Sequence, residues 1–344
     1  MPPRLLVNSR WKHSRMFSGV QRYAAGLEGA IRESDIDAHF AQPPNRGRAS
    51  GILWEQRVLP RRCKGYDALL CPANMAPLQV KGSTRLLVTV HCLRFHFNPE
   101  GYSPGFVRWY KRMMPRVIER ADTIFTVSQA QKIEIETVYP DAREKIELMP
   151  PGVDRVFHPN QPRDPHIPDG AYLIALTTPA PPKNLAVLLR SYQESNDLPP
   201  LILVGVDDRQ MDLLCPASIR HRVLALGQIE EPERIASLVA HASVLLAPSR
   251  YESFGLPCLE SMACGVPVIA SDIPAHREVC RDAAVYVNPA DSEAWGQQIR
   301  TLLVDPARRE RLSAWGIERS KNFRWSSSVQ TLRRVLYAST PVTR

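Results

Sequence analysis

The chain has 344 residues, 44% of them hydrophobic, which suits a globular protein with two domains and a core in each. It carries 44 Lys and Arg against 35 Asp and Glu, and the whole excess of +9 lies in residues 1–158, with 24 basic and 15 acidic residues. No apolar run approaches the roughly 18–20 residues of a membrane span. The first half should therefore meet something anionic, such as nucleic acid, a membrane surface or a pyrophosphate-linked substrate.

The compartment is read from the N-terminus and the cysteines. The first residues contain no long apolar segment of the kind found in signal peptides. Seven cysteines are scattered without a Cys-x-x-Cys spacing, which indicates reduced thiols rather than a disulfide framework or metal ligands. We predict a cytoplasmic protein.

In the first half, short apolar runs alternate with helical patterns. Predicted strands cover 4–9, 66–73, 84–92, 121–128 and 145–150, and predicted helices begin near Val20 and span 129–139. Residues 104–120 form a basic amphipathic stretch that Pro115 should kink or split. Its arginines recur every four residues, as a stripe on one helical face: Arg108, Arg112, Arg116 and Arg120.

The second half repeats the alternation after a linker at 152–170, in which prolines 159, 162, 165 and 168 prevent a helix. Predicted strands cover 171–178, 200–205, 221–227, 244–248, 267–272 and 282–287. One predicted helix begins near Lys183. Other predicted helices cover 231–243, 256–265, 291–322 and a final segment from 325. Strands alternating with helices indicate α/β domains with parallel sheets.

The most informative stretch is 244–272, VLLAPSRYESFGLPCLESMACGVPVIASD. It reads as strand, loop, helix, turn and strand, with Pro257 in the first helical turn and Gly265 where the helix should end. Glu252 and Glu260 bracket the loop and the helix start with seven residues between them. The backbone N–H groups of residues 254–256 lie at the positive end of this helix, a place for an anion or sugar hydroxyls.

Glu-x7-Glu within this frame of glycine, proline and small residues resembles the signature of the retaining, nucleotide-sugar-dependent glycosyltransferases of family four. The resemblance implies a GT-B fold, in which two Rossmann-like βα domains face each other across a cleft. It assigns 1–158 to an acceptor-binding domain and 168–325 to a donor-binding domain. The C-terminal helix, about 326–344, crosses back to the first domain in this fold.

The resemblance also implies the donor site. Lys183, in a Lys-Asn pair after the first strand of the second domain, binds the donor phosphates, where negative charge grows as the glycosidic bond breaks. Glu260 grips the ribose diol, and Glu252 lies near the transferred sugar. The implied donor-binding residues of this domain are Lys183, Asn184, Glu252, Ser253, Phe254, Gly255, Leu256 and Glu260, and the implied catalytic residues of the chain are His91, Lys183 and Glu252.

In the first domain, the sequence SGVQRY matches a family glycine loop, with Gly19 approaching the donor pyrophosphate because backbone must come close to phosphate. His91 ends a predicted strand, where a neutral histidine can bond a sugar hydroxyl. The family often has His-Asp here, and this chain has Cys92 instead. The family arginine that precedes the lysine is also missing, and Arg250 or Arg22 is the candidate substitute.

The family reaction retains anomeric configuration and uses no protein nucleophile. The donor-binding domain contains no Asp-x-Asp, so we expect no required metal and no cofactor beyond a nucleotide-sugar co-substrate. The SGVQRY and Lys-Asn features look most like bacterial mannosyltransferases of surface-polysaccharide assembly. They favour GDP-mannose over a UDP-sugar, with a glycan or lipid-linked acceptor. The basic first domain adds peripheral contact with an anionic inner membrane face as a hypothesis.

Other readings remain open. No Gly-x-Gly-x-x-Gly follows the first strand and no Walker sequence is present, which argues against nicotinamide, flavin and P-loop enzymes. A sugar-nucleotide epimerase of the same fold is an alternative. The missing arginine and the His-Cys change also leave room for an inactive, glycosyltransferase-like partner subunit. A nucleic-acid-binding module is not expected, because no recognition motif accompanies the charge.

Overall fold

The computed structural model describes residues 2–13, 18–44, 47–80, 82–165, 167 and 169–338. Pro168 and the predicted helical residues 339–344 lie outside this part. The chain forms two compact units, Met1–Gly152 with Arg324–Arg344, and Val153–Phe323. All seven cysteines are free thiols.

The first unit contains a parallel six-stranded sheet in the order β2-β1-β3-β4-β5-β6. Its strands are β1 (Leu5–Asn8), β2 (Ala38–Ala41), β3 (Ala68–Cys71), β4 (Arg85–Val90), β5 (Thr123–Thr126) and β6 (Ile146–Leu148). Its helices are α1 (Gly19–Arg32), α2 (Arg48–Arg57), α3 (Leu59–Arg62), α4 (Arg94–Phe97), α5 (Pro104–Arg120), α6 (Gln129–Val138) and, from the end of the chain, α14 (Trp325–Tyr337). β1 and β3 are fully buried, as expected for parallel strands covered on both faces.

The second unit repeats this architecture, with strand order β12-β11-β10-β7-β8-β9. Its strands are β7 (Leu173–Leu176), β8 (Leu201–Val204), β9 (Val223–Ala225), β10 (Val244–Ala247), β11 (Val268–Ser271) and β12 (Ala284–Val287). Its helices are α7 (Leu185–Glu194), α8 (Asp208–Leu214), α9 (Pro232–Ala240), α10 (Leu256–Ala263), α11 (Pro274–Cys280), α12 (Ser292–Leu303) and α13 (Pro306–Ser320). Its core centres on Trp295, Tyr192 and the strand leucines.

The predicted linker is part of the second unit rather than a free connection. The backbone N–H of Asp164 donates to the Ser237 hydroxyl at 2.8 Å, and that hydroxyl donates to the Pro162 carbonyl at 2.7 Å. The Asp164 carboxylate also accepts from Arg234 at 3.0 Å. These contacts tie the proline-rich segment to α9, so the units divide at Gly152 and not at residue 158.

The structure refines two predictions about helices. Pro115 does not split α5, which runs unbroken from Pro104 to Arg120. Pro115 is exposed, while Met114 and Val117 are buried, and this packing outweighs the one backbone hydrogen bond that proline cannot make. The region 291–322 is two helices, because Asp305 caps α13 by accepting the Arg308 N–H at 2.8 Å and Pro306 starts it.

The C-terminal helix α14 belongs to the first unit, as predicted. A Cβ on Gly26 would lie 2.2 Å from the Trp325 ring, so the glycine lets the indole lie against α1. The Ser328 hydroxyl donates to the Pro150 carbonyl at 2.6 Å, and Arg334 pairs with Glu147 at 2.7 Å. Steric fit and polar contacts therefore both hold the helix on this sheet.

Candidate functional site

The strand order of the second unit points to a ligand site. β7 lies between β8 and β10, and the winding direction reverses between β7 and β10. In open α/β sheets the crevice at the carboxyl ends of the strands, beside such a reversal, binds ligands. Lys183 follows β7 and Glu252 follows β10, so the fold brings these two predicted residues to one place.

Lys183 and Glu252 are in direct contact. The Lys183 Nζ donates to Glu252 Oε1 at 2.6 Å, and the Ser249 hydroxyl donates to the same oxygen at 2.7 Å. Burial opposes ionisation of this carboxylate, but the charges of Lys183 and His276 and these two hydrogen bonds hold the pKa of Glu252 below its ordinary value. The cluster therefore presents a cation and an ionised carboxylate at the end of the sheet.

Asn184 lies beside this pair but faces the protein. It adopts a left-handed conformation (φ 56°) between the 3₁₀ turn Pro181–Lys183 and α7, and it is only 4% exposed. Its Nδ2 donates to the carbonyls of Pro248 at 2.9 Å and Pro289 at 2.8 Å. The side chain thus fastens the turn carrying Lys183 to the end of β10.

The loop before α10 turns sharply at Gly255, whose φ of 105° favours glycine. Ser253 and Leu256 are partly exposed, whereas Phe254 is buried and packs edge-on against Phe323 at 5.4 Å. Glu260 lies on α10 and is 2% exposed. Phe254 consequently supports the loop through its ring, and a donor contact from this residue would involve its backbone.

His276 is the site residue that the sequence analysis missed. It lies on α11, one turn beyond the end of β11, and is 1% exposed. Burial opposes charge on the ring, but Cys258, Glu252 and the Ser271 carbonyl raise the pKa of His276 to about 9. Polar residues that follow strand ends are candidates for the ligand site in such sheets, as with Lys183 and Glu252. The same rule would have identified His276 from the sequence.

In the first unit, His91 follows β4 and is 5% exposed. Its Nε2 lies 2.7 Å from the Pro72 carbonyl, which can only accept, so the ring donates there and Nδ1 keeps a lone pair. Burial lowers the pKa of His91 to about 4, which makes the ring neutral at physiological pH. Tyr23 packs edge-on against it at 4.7 Å. A hydrogen bond from His91 to a sugar hydroxyl stays a prediction, and Nδ1 would accept it.

Gly19 is the first residue of α1, and the backbone N–H of Ser18 donates to Gln21 Oε1 at 2.8 Å. Residues 14–17, just before it, lie outside the described part of the chain. The approach of Gly19 to a pyrophosphate stays a prediction.

Two buried carboxylates, also missed from the sequence, hold the segment that follows β1. Glu28 on α1 accepts from Ser9 at 2.8 Å and from Lys12 at 2.6 Å. Glu55 on α2 accepts from Arg10 at 2.8 Å. Burial opposes ionisation of Glu28, but its hydrogen bonds and the Lys12 charge lower its pKa. These contacts fix residues 9–12 at the carboxyl end of the first sheet.

The structure bears on which of the two candidate arginines could take the place of the missing family arginine. Arg250 is exposed, and its backbone N–H donates to the Pro182 carbonyl at 2.8 Å, so its main chain lies against the turn that carries Lys183. Arg22 lies on α1 of the first unit. Arg250 is therefore the substitute that the second unit itself can supply.

Two further searches cover the described residues alone. No group of three or more His, Cys, Asp or Glu is arranged to hold a metal ion within that part of the chain. None of the helices in it is long and apolar enough to cross a membrane.

Two family models match the chain. One, described as "Glycosyltransferase Family 4", matches residues 18–157, and the other, "Glycosyl transferases group 1", matches residues 159–319. Together they cover both units apart from the chain ends.

Among similar proteins, the O-antigen chain mannosyltransferase B of Escherichia coli is 29% identical over 72% of this chain and 69% of its own length. The O-antigen chain mannosyltransferase RfbU of Salmonella typhimurium is 28% identical over 69% of this chain and 65% of its own. The chain thus spans about two thirds of these relatives.

Solved structures resemble the whole chain. Sucrose-phosphate synthase from Thermosynechococcus elongatus has a TM-score of 0.77 at 20% identity, covering 98% of this chain and 100% of that one. HepE from Anabaena, solved in complex with UDP and glucose, has a TM-score of 0.73 at 16% identity with the same coverage. At these identities the likeness shows the fold alone.

Proposed function

The chain belongs to the GT-B glycosyltransferases whose halves are described as Glycosyltransferase Family 4 and Glycosyl transferases group 1, and we propose that it moves a hexose from a nucleoside diphosphate sugar to a glycan or lipid-linked acceptor. The observation that carries the proposal is the Lys183–Glu252–Ser249 cluster at the strand-order reversal of the second unit. The names of two similar proteins, both O-antigen chain mannosyltransferases, support a role in surface-polysaccharide synthesis.

The cluster suits donor cleavage. The leaving diphosphate gains negative charge as the bond to the sugar breaks, and a fixed cation such as Lys183 stabilises that charge. Glu252, held in its ionised form, can accept hydrogen bonds from sugar hydroxyls. In this proposal the Glu260 carboxylate, on α10, accepts hydrogen bonds from the two ribose hydroxyls of the donor. We assign no protein nucleophile, and the reaction retains configuration with the donor phosphate taking the acceptor proton.

GDP-mannose is the favoured donor, because the two O-antigen relatives are mannosyltransferases. A UDP-sugar is the competing donor, since HepE is solved with UDP and with UDP-glucose. A thermal-shift panel of nucleotides and nucleotide sugars separates them. A ligand that binds the folded protein alone raises stability by about 2.7 kcal/mol at a hundred times its Kd.

The same panel tests the other candidates. An inactive partner subunit, which the absent family arginine favours, would bind no nucleotide sugar. An epimerase would bind a donor and isomerise it without acceptor, which analysis of the released sugar detects. Donor binding together with hexose transfer to a glycan acceptor would establish the proposed reaction. A panel in which no nucleotide or nucleotide sugar raises the melting temperature would refute it.

We also propose that an anionic membrane surface binds the first unit. Arg108, Arg112 and Arg116 are exposed on α5, and a second exposed basic cluster lies on and after α2, at Arg57, Arg61, Arg62 and Lys64. Each such residue near an anionic leaflet contributes about 1 kcal/mol. Phe106, Trp109 and Met113 pack against the core of the unit, so the contact rests on charge rather than on inserted aromatics.

Sedimentation with anionic and neutral vesicles at low and high salt tests this surface. We expect pelleting with anionic vesicles at low salt only, because salt screens charges beyond about 10 Å. Replacing Arg108, Arg112 and Arg116 by Glu should abolish it and leave donor binding intact. The matched control replaces three exposed arginines of the second unit, Arg209, Arg281 and Arg311, by Glu. Equal recovery in all four supernatants, or equal loss in both triple variants, would refute the proposal.

A further inference from the structure

Arg10 follows β1 at the carboxyl end of the first sheet, and only part of its guanidinium is hydrogen-bonded. Its Nε donates to Glu55 Oε2 at 2.8 Å. Neither Nη1 nor Nη2 donates to any residue that the structure describes, and the side chain is 23% exposed. A guanidinium has five N–H donors, so the four on these two nitrogens remain available to a ligand.

Two neighbours fix the position of this guanidinium. Asn8 Nδ2 donates to the same Glu55 Oε2 at 2.8 Å, so the end of β1 and helix α2 meet at one carboxylate oxygen. The stem of Arg10 lies along α2, where a Cβ on Gly51 would be 3.4 Å from Arg10 Cδ and 3.7 Å from its Cγ. Because the side chain is already held, little of its conformational entropy is lost when a ligand binds.

The burial of Glu55 is hard to explain by stability alone. The residue is 1% exposed, and within the described part of the chain its Oε1 is buried without a hydrogen-bond partner. A buried carboxylate is costly unless its lone pairs are satisfied, and apolar residues often replace a buried ion pair without loss of stability. A role in holding the Arg10 guanidinium in place accounts for a carboxylate here.

The charges on the segment after β1 favour an anion as the ligand. Lys12 Nζ and Arg32 Nη2 both donate to Glu28 Oε1, at 2.6 and 2.8 Å. Together with the Arg10–Glu55 pair, this group has three cations and two carboxylates, so its net charge is positive. The two open nitrogens of a guanidinium match the paired oxygens of a phosphate or a carboxylate.

We propose that Arg10 binds an anionic group of the acceptor, a phosphate or a carboxylate, and that Glu55 and Asn8 are its positioning residues. The carboxyl end of a parallel sheet is where such a ligand is expected. The inference rests on the proposed function for the identity of the ligand as the acceptor. Two sources have this chemistry: the diphosphate of a lipid-linked acceptor and the carboxylate of an acidic sugar in a glycan.

Calorimetric titration with three probes tests the anion site and separates its sources. The probes are inorganic pyrophosphate, geranyl diphosphate and glucuronate, each added with GDP at saturation so that the donor site is occupied. We expect the wild type to bind at least one of them. Stronger binding of the diphosphates indicates a lipid-linked acceptor, and stronger binding of glucuronate indicates an acidic glycan.

The variants remove Arg10 without leaving a buried charge. Arg10→Met alone leaves the Glu55 carboxylate unpaired and may not fold, so Arg10→Met is combined with Glu55→Gln, whose amide oxygen still accepts from Asn8. This double variant should lose about 10-fold or more in affinity for the bound anion, the scale of one hydrogen bond to a charged group. Glu55→Gln alone keeps an acceptor for the Arg10 Nε and removes a negative charge, so it should bind the anion at least as well as the wild type.

Arg4→Met is the matched control. Arg4 Nε also faces a carboxylate, Asp37 at 3.6 Å, but this arginine precedes β1 and lies at the other end of the strand. Its replacement should leave the anion affinities unchanged, and affinity for GDP should stay within about threefold of wild type in every variant.

Three results would overturn the proposal. The first is that no probe binds in a manner that depends on Arg10. The second is an equal loss in Glu55→Gln and in the double variant, which would show that the pair acts only through the fold. The third is a loss of GDP affinity as large as the loss of anion affinity, which would move Arg10 to the donor site. If the wild type binds neither GDP nor a nucleotide sugar, the proposed function fails, and the same titrations without GDP still decide whether Arg10 binds an anion.

Discussion

The ion pair between Lys183 and Glu252 gives a prediction that needs no substrate. Lys183→Met keeps the side-chain stem and removes the ammonium, Glu252→Gln removes the carboxylate charge, and the double variant removes both. The atoms are 2.6 Å apart, and the side chains are 28% and 16% exposed. The pair therefore lies between a surface salt bridge and a fully buried one.

The magnitude follows from that position. Coulomb's law with an effective dielectric constant of about 20 gives roughly 6 kcal/mol of gross attraction at this separation, and desolvation offsets most of it. Exposed pairs contribute about 0.2–1 kcal/mol, and removing one member of a buried pair costs about 3–5 kcal/mol. We expect Lys183→Met to cost about 2 kcal/mol of unfolding free energy. The double variant should cost less than the sum of the singles by about 1 kcal/mol.

The pH dependence has a definite sign. The folded-state pKa of Glu252 lies below its ordinary value of 4.5. Its ionisation therefore stabilises the fold fully above that ordinary value, and the stabilisation is lost as pH falls through the folded-state pKa. The stability difference between wild type and Lys183→Met should shrink over the same acid range.

Urea denaturation at neutral and acid pH measures these free energies. Lys321 and Glu318 supply a matched control cycle in the same unit, because their atoms are also 2.6 Å apart but their side chains are 56% and 75% exposed. That pair should show a coupling of at most about 0.5 kcal/mol. Additivity within about 0.3 kcal/mol for Lys183 and Glu252, or a coupling equal to that of the exposed pair, would refute the reasoning.

Three further predictions concern activity and packing. Glu260→Ala and Lys183→Ala should each lower turnover by about 10²-fold or more while remaining folded. Glu233→Ala, an exposed control, should not lower turnover. If a variant of Glu260 or Lys183 keeps activity within about threefold of wild type, the replaced residue does not belong to the site. EDTA should leave the rate unchanged, and activity lost in chelator and restored by Mg²⁺ or Mn²⁺ would contradict this. Gly26→Ala should destabilise the first unit by about 1–3 kcal/mol in thermal denaturation, because the new methyl meets the Trp325 ring. Gly29→Ala, on the same helix with nothing within 4 Å, should instead be neutral or stabilising, and equal effects would disprove the packing argument.

Local pattern determined much of the fold. Buried strands such as VLLA and VIAS read as apolar runs, and their alternation with helices fixed two parallel sheets. The edge strand β2 escaped notice because it is only four residues long, AHFA, and only Ala41 among them is buried. The predicted split at Pro115 was wrong because local propensity cannot weigh the packing of α5 against the core.

The candidate site was likewise predictable in part from local sequence and in part only from the tertiary structure. The sequence by itself determined that Lys183, Glu252 and Glu260 are candidates, since the turn chemistry around them is local. Only the tertiary structure decided that Lys183 pairs with Glu252, that Asn184 turns inward, and that His276 lies under the loop. Those contacts join the ends of separate strands, and which strands become neighbours is set by the order of the whole sheet, which no local pattern encodes.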